Sequence, residues 1–230
     1  MTTLAEKIRS RGYWEVLIRP ERFNSTLIPT LADLERIARD AHVELRGWDY
    51  PHDPREGTTR HSDYIQGVVS WENYHELWRL YQSAQFVHIF AMREDWWEEN
   101  SFSQAHPPVG TALSYASTLF TLTEIFTYAA RLAEATPILS DVSCSYRLYG
   151  LGGRRLMTFD PNRSQFDGAR KASADLSDFG NVISVPPAVL IGQANQIAIE
   201  QAMMVFERLN WNAPKEMLVD DQRKFLERRI

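Results

Sequence analysis

The sequence predicts an α+β fold: an antiparallel sheet built on a central meander, with helices packed on it and a helical C-terminus. In residues 64–94, aromatic and β-branched residues alternate with polar ones at the two-residue period of strands. Residues 31–41 and 111–134 instead repeat their apolar residues at helical spacing. Residues 188–209 and 214–230 are also helical by this criterion, so helices close the chain.

Composition fits one globular domain. The chain has 230 residues, of which 44% are hydrophobic and 24% charged, so it can bury a sizeable core. A boundary between two lobes, if there is one, is expected near residues 106–110. The net charge of -5 argues against general nucleic-acid binding, because that affinity comes from clustered Lys and Arg.

Cysteine usage and the N-terminal residues indicate a cytoplasmic location. The one cysteine, Cys144, excludes an intramolecular disulfide. The first residues carry charges where a signal peptide needs an apolar core. The most apolar segment, residues 109–133, is interrupted by Glu124 and Arg131, which predicts a buried helix and no membrane span.

The elements before the meander follow from local pattern. Thr2 or Thr3 can cap a short helix that runs to Arg9. Residues 13–20 alternate as a strand, and residues 31–41 form an amphipathic helix that covers the sheet. Residues 42–48 are interpreted as a second strand. Residues 49–62, rich in Pro, Gly, Asp and Thr, form a long loop suited to binding or mobility.

The meander itself consists of strands over residues 64–71, 75–82 and 85–94, joined by tight links. Residues 95–110 then have no period and are interpreted as an irregular connection. The helix over residues 111–134 is expected to be buried on most of its circumference, with Phe120 deep in the core.

The C-terminal half contains two further predictions. Residues 144–149 and 154–159 flank a glycine-rich turn, which favours a hairpin over a phosphate-binding loop, because no helix follows. The polar residues 160–180 are expected to be disordered or to form a short surface helix. Residues 181–185 form a short strand before Pro186 and Pro187.

The sequence contains no assembled catalytic or metal-binding motif, and no pattern in it indicates a cofactor. His52, Asp53, His61 and Asp63 are residue types that bind divalent ions, but their spacing matches no established signature. The segment is therefore interpreted as a solvated loop. Cys144, on a predicted strand without a nearby histidine, is interpreted as a small buried residue.

Two titratable residues are expected to be buried. His88 lies between Phe86 and Phe90 on one strand face; it is either a base in an apolar pocket or, as favoured, a core histidine bonded to the next strand. Glu124 faces inward on the long helix. A structural ion pair with Arg131, Arg46 or Arg79 is favoured over a catalytic acid.

The polar faces of the predicted strands suggest one ligand site. The sheet would gather polar residues on one side, with tryptophans at strand ends. Such a concave, aromatic-rimmed surface suits a planar ligand, and solvation of one sheet face is the alternative. The predicted ligand-binding residues are Arg46, Arg79, Gln66, Tyr81, His88, Trp48 and Trp71.

These residues favour a ligand-sensing or interaction module over an enzyme. The chain is rich in arginine and aromatic residues suited to recognition and lacks an assembled nucleophile, base and oxyanion site. A small anionic ligand or a protein partner is expected, and the chain could form oligomers. The first alternative is an enzyme acting on a small anionic or nucleotide-like substrate, and the second is a structural subunit of a larger complex.

Overall fold

The computed structural model describes residues 2–54, 57–99 and 107–228. Within these ranges the chain forms helices around one large sheet. The α-helices are α1 (Leu4–Arg9), α2 (Leu31–Ala41), α3 (Tyr115–Ala135), α4 (Pro187–Glu207) and α5 (Lys215–Leu226). The strands are β1 (Tyr13–Pro20), β2 (Val43–Glu44), β3 (Asp49–Tyr50), β4 (Thr59–Arg60), β5 (Tyr64–Trp71), β6 (Tyr74–Tyr81), β7 (Phe86–Ala91), β8 (Ala112–Ser114), β9 (Val142–Tyr149), β10 (Arg155–Met157) and β11 (Asp178–Val185).

The main sheet has seven strands in the order β11-β9-β1-β7-β6-β5-β4. All neighbouring pairs are antiparallel. The N-terminal strand β1 lies between β7 and β9, so strands from both halves of the chain flank it. This confirms the predicted α+β class and its antiparallel sheet.

The core lies between one face of this sheet and the long helix α3. Trp14, Val16 and Ile18 of β1 are buried on that face, as strand alternation requires. Ser114 caps α3 by accepting a hydrogen bond from the Ser117 amide at 3.1 Å. The helix packs against α2, α4 and α5, so most of its circumference is buried, as predicted.

The locally patterned elements agree closely with prediction. The helix α2 has the predicted bounds. The meander strand β5 also has the predicted bounds, and β6 and β7 differ from the predicted strands by a few residues at their ends. Thr3 caps α1 with a reciprocal bond from its own amide to Glu6 at 2.7 Å.

Two strand predictions are wrong. Residues 42–48 form only the short strand β2, which pairs with β3 outside the main sheet, and Gly47 turns the chain with φ +84. The predicted hairpin over residues 144–159 is absent from the described chain. Instead β9 pairs with β1 and β11, and β10 pairs in parallel with β8.

Other predictions need smaller revisions. Residues 160–177 form turns and irregular chain in place of a surface helix, and Phe166 packs against Tyr115 and Trp211 with ring centroids 5.7 and 4.8 Å away. Phe120 is only partly buried. The expected lobe boundary at residues 106–110 begins outside the described residues. Among the described helices, none is long and apolar enough to cross a membrane.

A buried ion pair joins the 3₁₀ turn that follows β7 to the glycine-rich turn. Arg154 and Asp95 are each 1% exposed in their side chains and pair through two contacts. Asp95 also accepts hydrogen bonds from the amides of Gly12 and Gly110, both at 2.8 Å. Arg154 donates to the Gly150 and Ala112 carbonyls at 2.6 Å. Arg154 of this turn is therefore part of the buried structure.

Candidate functional site

A cleft opens on the helix-covered side of the sheet, between residues 46–52, strands β6 and β7, and helix α3. Its inner chamber has a volume of about 50 Å³. The floor comes from the sheet, through Trp14, Glu76, His88 and Phe90. The β2–β3 segment covers it with Arg46, Trp48, Tyr50 and His52, and α3 closes it with Ser117, Thr121 and Glu124.

An outer chamber of about 460 Å³ adjoins the inner chamber. The two share a wall formed by Arg46, Trp48, Tyr74, Arg93, Glu94 and Ser117. The outer chamber adds further aromatic side chains, Trp97, Phe120 and Phe159. The volume of the outer chamber lies within the range of small-molecule sites, which are mostly apolar with a few placed polar groups.

A buried carboxylate lies at the inner end of the cleft. Glu76 is 4% exposed, and each of its oxygens contacts a histidine. Oε2 lies 2.6 Å from His88 Nε2, and Oε1 contacts His52 Nδ1. On the other side of its ring, His88 Nδ1 lies 3.3 Å from the Tyr50 hydroxyl. Four side chains from three segments of the sequence thus form one chain of polar contacts.

The protonation states follow from burial and geometry. Burial lowers the pKa of His88, against the opposing effect of Glu76, so His88 is neutral near neutral pH. Burial would raise the pKa of Glu76, but the two histidines together lower it below its usual value. A neutral imidazole has one N–H, which His88 donates from Nε2 to the carboxylate. Its Nδ1 accepts from Tyr50, whose pKa burial raises far above its usual value.

An ion pair forms the α3 side of the cleft. Arg46 Nε and Nη2 donate to the two oxygens of Glu124 at 3.0 and 2.6 Å. Nη2 also donates to the Thr121 hydroxyl at 2.7 Å. Burial lowers the pKa of Arg46 and raises that of Glu124, and each residue opposes the shift of the other. The favoured prediction that Glu124 pairs with an arginine is confirmed, and Arg46 is that partner.

Arg93 is the second cation of the cleft. It follows β7 in a 3₁₀ turn, Arg93–Asp95, and is partly buried. Its guanidinium lies 4.9 Å from the ring centroid of Trp48 and 5.2 Å from that of Tyr74. Nη1 donates to the Tyr74 hydroxyl at 2.8 Å. Among the ion pairs of the described residues, none involves Arg93, whereas the adjacent carboxylate of Glu94 accepts from the Ser114 amide.

The structure divides the predicted ligand residues between the two faces of the sheet. Arg46, Trp48 and His88 line the cleft. On the opposite face, Gln66 accepts from Arg79 Nε at 2.8 Å. Near this pair, Tyr81 packs on Tyr64 with ring centroids 4.9 Å apart. Strand alternation predicted one arginine-lined surface, but these residues lie on two opposite faces of the sheet.

The remaining predicted residues lie at the edges. Trp71 is 48% exposed and stacks on Tyr74, with ring centroids 6.2 Å apart, so it supports a cleft residue. Of the four candidate metal ligands, His61 stacks on Tyr64, with ring centroids 4.3 Å apart. Across the described ranges, no group of three or more His, Cys, Asp or Glu could hold a metal ion.

Several cleft residues were missed in the sequence. Alternation along β6 places Glu76, Trp78 and Leu80 on the buried face, so a buried carboxylate at Glu76 could have been predicted. His52 and Arg93 lie in short irregular segments, and no sequence period indicates where such side chains point. The Trp78 indole donates to the His52 carbonyl at 3.1 Å, a contact that fixes His52 and depends on the fold.

Comparisons with protein-family models, with curated proteins and with solved structures found no match to this chain.

Proposed function

We propose that the cleft binds a small organic anion that carries a planar group. The observation that carries this proposal is the placement of Arg93, whose guanidinium lies against Trp48 and Tyr74 at the junction of the two chambers. A partly buried cation is costly unless an opposite charge or hydrogen-bond acceptor meets it. An anionic ligand would supply both at this junction.

The fork of Arg93 suits a carboxylate or a phosphate. Arginine donates through a planar fork that matches these groups, and it retains its charge when stacked on aromatic rings. Among the described residues Tyr74 accepts from Nη1, and an anionic ligand would accept from the other nitrogens of the fork. The aromatic side chains of the outer chamber would contact the planar part of that ligand.

The charges around Arg93 favour a ligand with one negative charge. Arg46 is engaged by Glu124, and the carboxylates of Glu76 and Glu94 also line the inner chamber. Because like charges in a partly buried site repel, a dianion would gain from one arginine and be opposed by several carboxylates. A monoanion avoids most of that repulsion.

Diphenyl phosphate, a monoanion with planar phenyl groups, tests the proposal by its effect on the melting temperature. A ligand that binds only the folded chain raises this temperature by an amount that grows with the logarithm of its concentration relative to its Kd. We expect a rise for wild type and for the matched control Arg79→Met on the opposite face, and a much smaller rise for Arg93→Met. Raising the salt concentration should weaken binding.

An equal rise in all three proteins would contradict the proposal, and so would no rise in any of them. The same titration bears on the alternatives. A protein-interaction module or a structural subunit has no reason to respond to a small anion through Arg93. Both remain hypotheses.

A further inference from the structure

We propose that His52 acts as a general base, activating a water molecule for hydrolysis of a phosphodiester held by Arg93. This inference rests on the proposed function, because it requires an anion at Arg93. It adds a reaction and a substrate class to that site. The argument uses the contacts of His52, the size of the inner chamber and the charges around it.

The first step concerns how His52 is held. Its Nδ1 contacts Oε1 of Glu76, a buried oxygen that has no hydrogen-bond partner among the described residues, so a proton on Nδ1 is the one that suits this carboxylate. In the neutral ring, Nε2 therefore carries the lone pair. A carboxylate that accepts the Nδ1 proton fixes the tautomer and stabilises the imidazolium formed when Nε2 takes up a proton. Glu76 is thus a positioning residue for His52.

The second step concerns the accessibility of that nitrogen. Within the described part of the chain, Nε2 of His52 makes no hydrogen bond, and the side chain is 24% exposed. The ring stacks on Trp48 at 6.2 Å with an interplanar angle of 15°. It also meets the edge of Tyr74 at 5.1 Å. The base is therefore fixed in orientation and keeps a free acceptor in a cleft that also holds Arg93.

The third step concerns what can stand beside this base. A single water needs roughly 10 to 15 Å³ of such space, so a chamber of about 50 Å³ holds a few waters and no organic substrate. The substrate must occupy the outer chamber of about 460 Å³. His52 and Arg93 both line the inner chamber, and Trp48 and Tyr74 each contact both of them, so the base and the anion site belong to one cleft.

The fourth step identifies the substrate class. The outer chamber offers aromatic side chains for a planar substituent, and Arg93 offers one positive charge for one negative charge. A phosphodiester with an aryl or nucleoside substituent is a monoanion of this kind, whereas a phosphomonoester near neutral pH approaches a dianion. The carboxylates of Glu76 and Glu94 oppose that dianion.

The reaction balances with water as the second reactant. His52 Nε2 removes a proton from water, and the water oxygen forms a bond to phosphorus. The bond between phosphorus and the departing alkoxide or aryloxide oxygen breaks. The imidazolium of His52 returns its proton to that leaving oxygen, which gives an alcohol or phenol and a phosphomonoester. Arg93 stabilises the non-bridging oxygens throughout.

Bis(p-nitrophenyl) phosphate tests the inference directly, because its hydrolysis releases coloured p-nitrophenolate. We expect wild type at about pH 8 to release it with saturable kinetics. His52→Gln, whose amide can still donate to Glu76, should lower kcat by about 10² to 10⁴, the usual contribution of a general base. Binding of diphenyl phosphate should be unchanged in this variant. In His52→Ala, added imidazole should restore part of the rate.

The role of Glu76 is tested by the pH profile. Glu76→Gln should lower kcat with little effect on KM, and it should shift the rising limb of the pH–rate curve to a different midpoint. A purely structural role would change the melting temperature without moving that midpoint. Arg93→Met should raise KM, because it removes the anion site.

The outcomes separate this inference from the proposed function. Wild type that binds diphenyl phosphate through Arg93 and releases no p-nitrophenolate above the buffer rate overturns the inference alone. Turnover that is equal in wild type and His52→Gln, purified in parallel, also overturns it. A protein that neither binds nor hydrolyses these esters contradicts both. Binding with turnover that depends on His52 supports both.

Discussion

Arg46 and Glu124 form a bidentate ion pair, with nitrogen to oxygen distances of 3.0 and 2.6 Å, between a short irregular segment and the central helix. The side chains are only 8% and 3% exposed. The pair holds residues 46–52 over the sheet. This segment carries Trp48, Tyr50 and His52. Its removal should therefore affect both stability and the shape of the cleft.

We expect Arg46→Ala to lower the free energy of unfolding by about 3 to 5 kcal/mol, since it leaves a buried carboxylate unpaired. The double variant Arg46→Met with Glu124→Leu should lose much less, because no buried charge remains. Urea denaturation measures both. Arg79→Ala, on the opposite face, is the control and should change the free energy by less than about 1 kcal/mol. A loss of that size in Arg46→Ala would show that the pair is dispensable.

Two phenylalanines of α3 should differ in their contribution to the free energy of unfolding. Phe126 is fully buried, and Phe126→Ala should lower the free energy of unfolding by about 3 to 5 kcal/mol. Phe120 is partly buried and stacks on Phe225 of α5, with centroids 4.0 Å apart. We expect Phe120→Ala to lose clearly less, because it forfeits mainly an aromatic contact of about 0.5 to 1.5 kcal/mol. Chemical denaturation of both variants decides the order, and equal losses would contradict the assigned burial.

Stability should fall as the pH drops below about 6.5, the usual pKa of histidine. The folded-state pKa of His88 is lowered, so unfolding takes up a proton in this range and becomes more favourable by about 1.4 kcal/mol per pH unit. Below about pH 4.3, the usual pKa of glutamate, Glu76 adds to the loss, since its folded-state pKa is also lowered.

The matched variants are His88→Gln and His61→Gln, the latter at an exposed residue. Unfolding is followed by urea titration between about pH 5 and 8. His88→Gln should reduce the slope of stability against pH below about 6.5, and part of the slope should remain, because burial also lowers the pKa of His42 and His75. His61→Gln should keep the wild-type slope. A slope in His88→Gln as steep as in wild type would show that His88 does not cause the loss.

Gly12 should not tolerate a side chain. A Cβ there would overlap the guanidinium of Arg154 and lie 2.7 Å from Asp95 Oδ2. We expect Gly12→Ala to lower the free energy of unfolding by about 1 to 3 kcal/mol, as overpacking does. At Gly168 an added Cβ meets nothing within 4 Å, so Gly168→Ala is the control. Thermal melts of the pair should separate clearly, and similar melting temperatures would contradict the described packing.

The elements that depend on local pattern were predictable, and those that depend on distant pairing were not. The alternation of apolar and polar residues predicted the meander, and amphipathic spacing predicted α2. Residues 42–48 also alternate, but the bend at Gly47 and pairing with β3 keep them out of the main sheet. Nothing in the local sequence after Tyr149 indicates that β10 pairs with β8 in parallel. This pairing depends on contacts between residues distant in sequence.

The candidate site shows the same division. Strand period correctly indicates that His88 is buried, and it would also have placed Glu76 on the buried face. It does not reveal which face receives Arg46, since that residue lies outside the sheet and is positioned by Glu124 on α3. Gln66 and Arg79 are directly opposite each other in β5 and β6. Their contact could be predicted from the meander. That they lie on the face opposite the cleft could not, because the side of the sheet that α3 covers was unknown.

The central position of β1 has a consequence for synthesis on the ribosome. This strand is made early, yet β7 follows only after β5 and β6, and β9 follows only after α3. Until β7 and α3 have been made, Trp14, Val16 and Ile18 lack a strand partner and the long helix that packs over their face. High contact order of this kind slows folding and exposes nascent chains to aggregation. The emerging N-terminal half should therefore be a chaperone client until β9 leaves the exit tunnel.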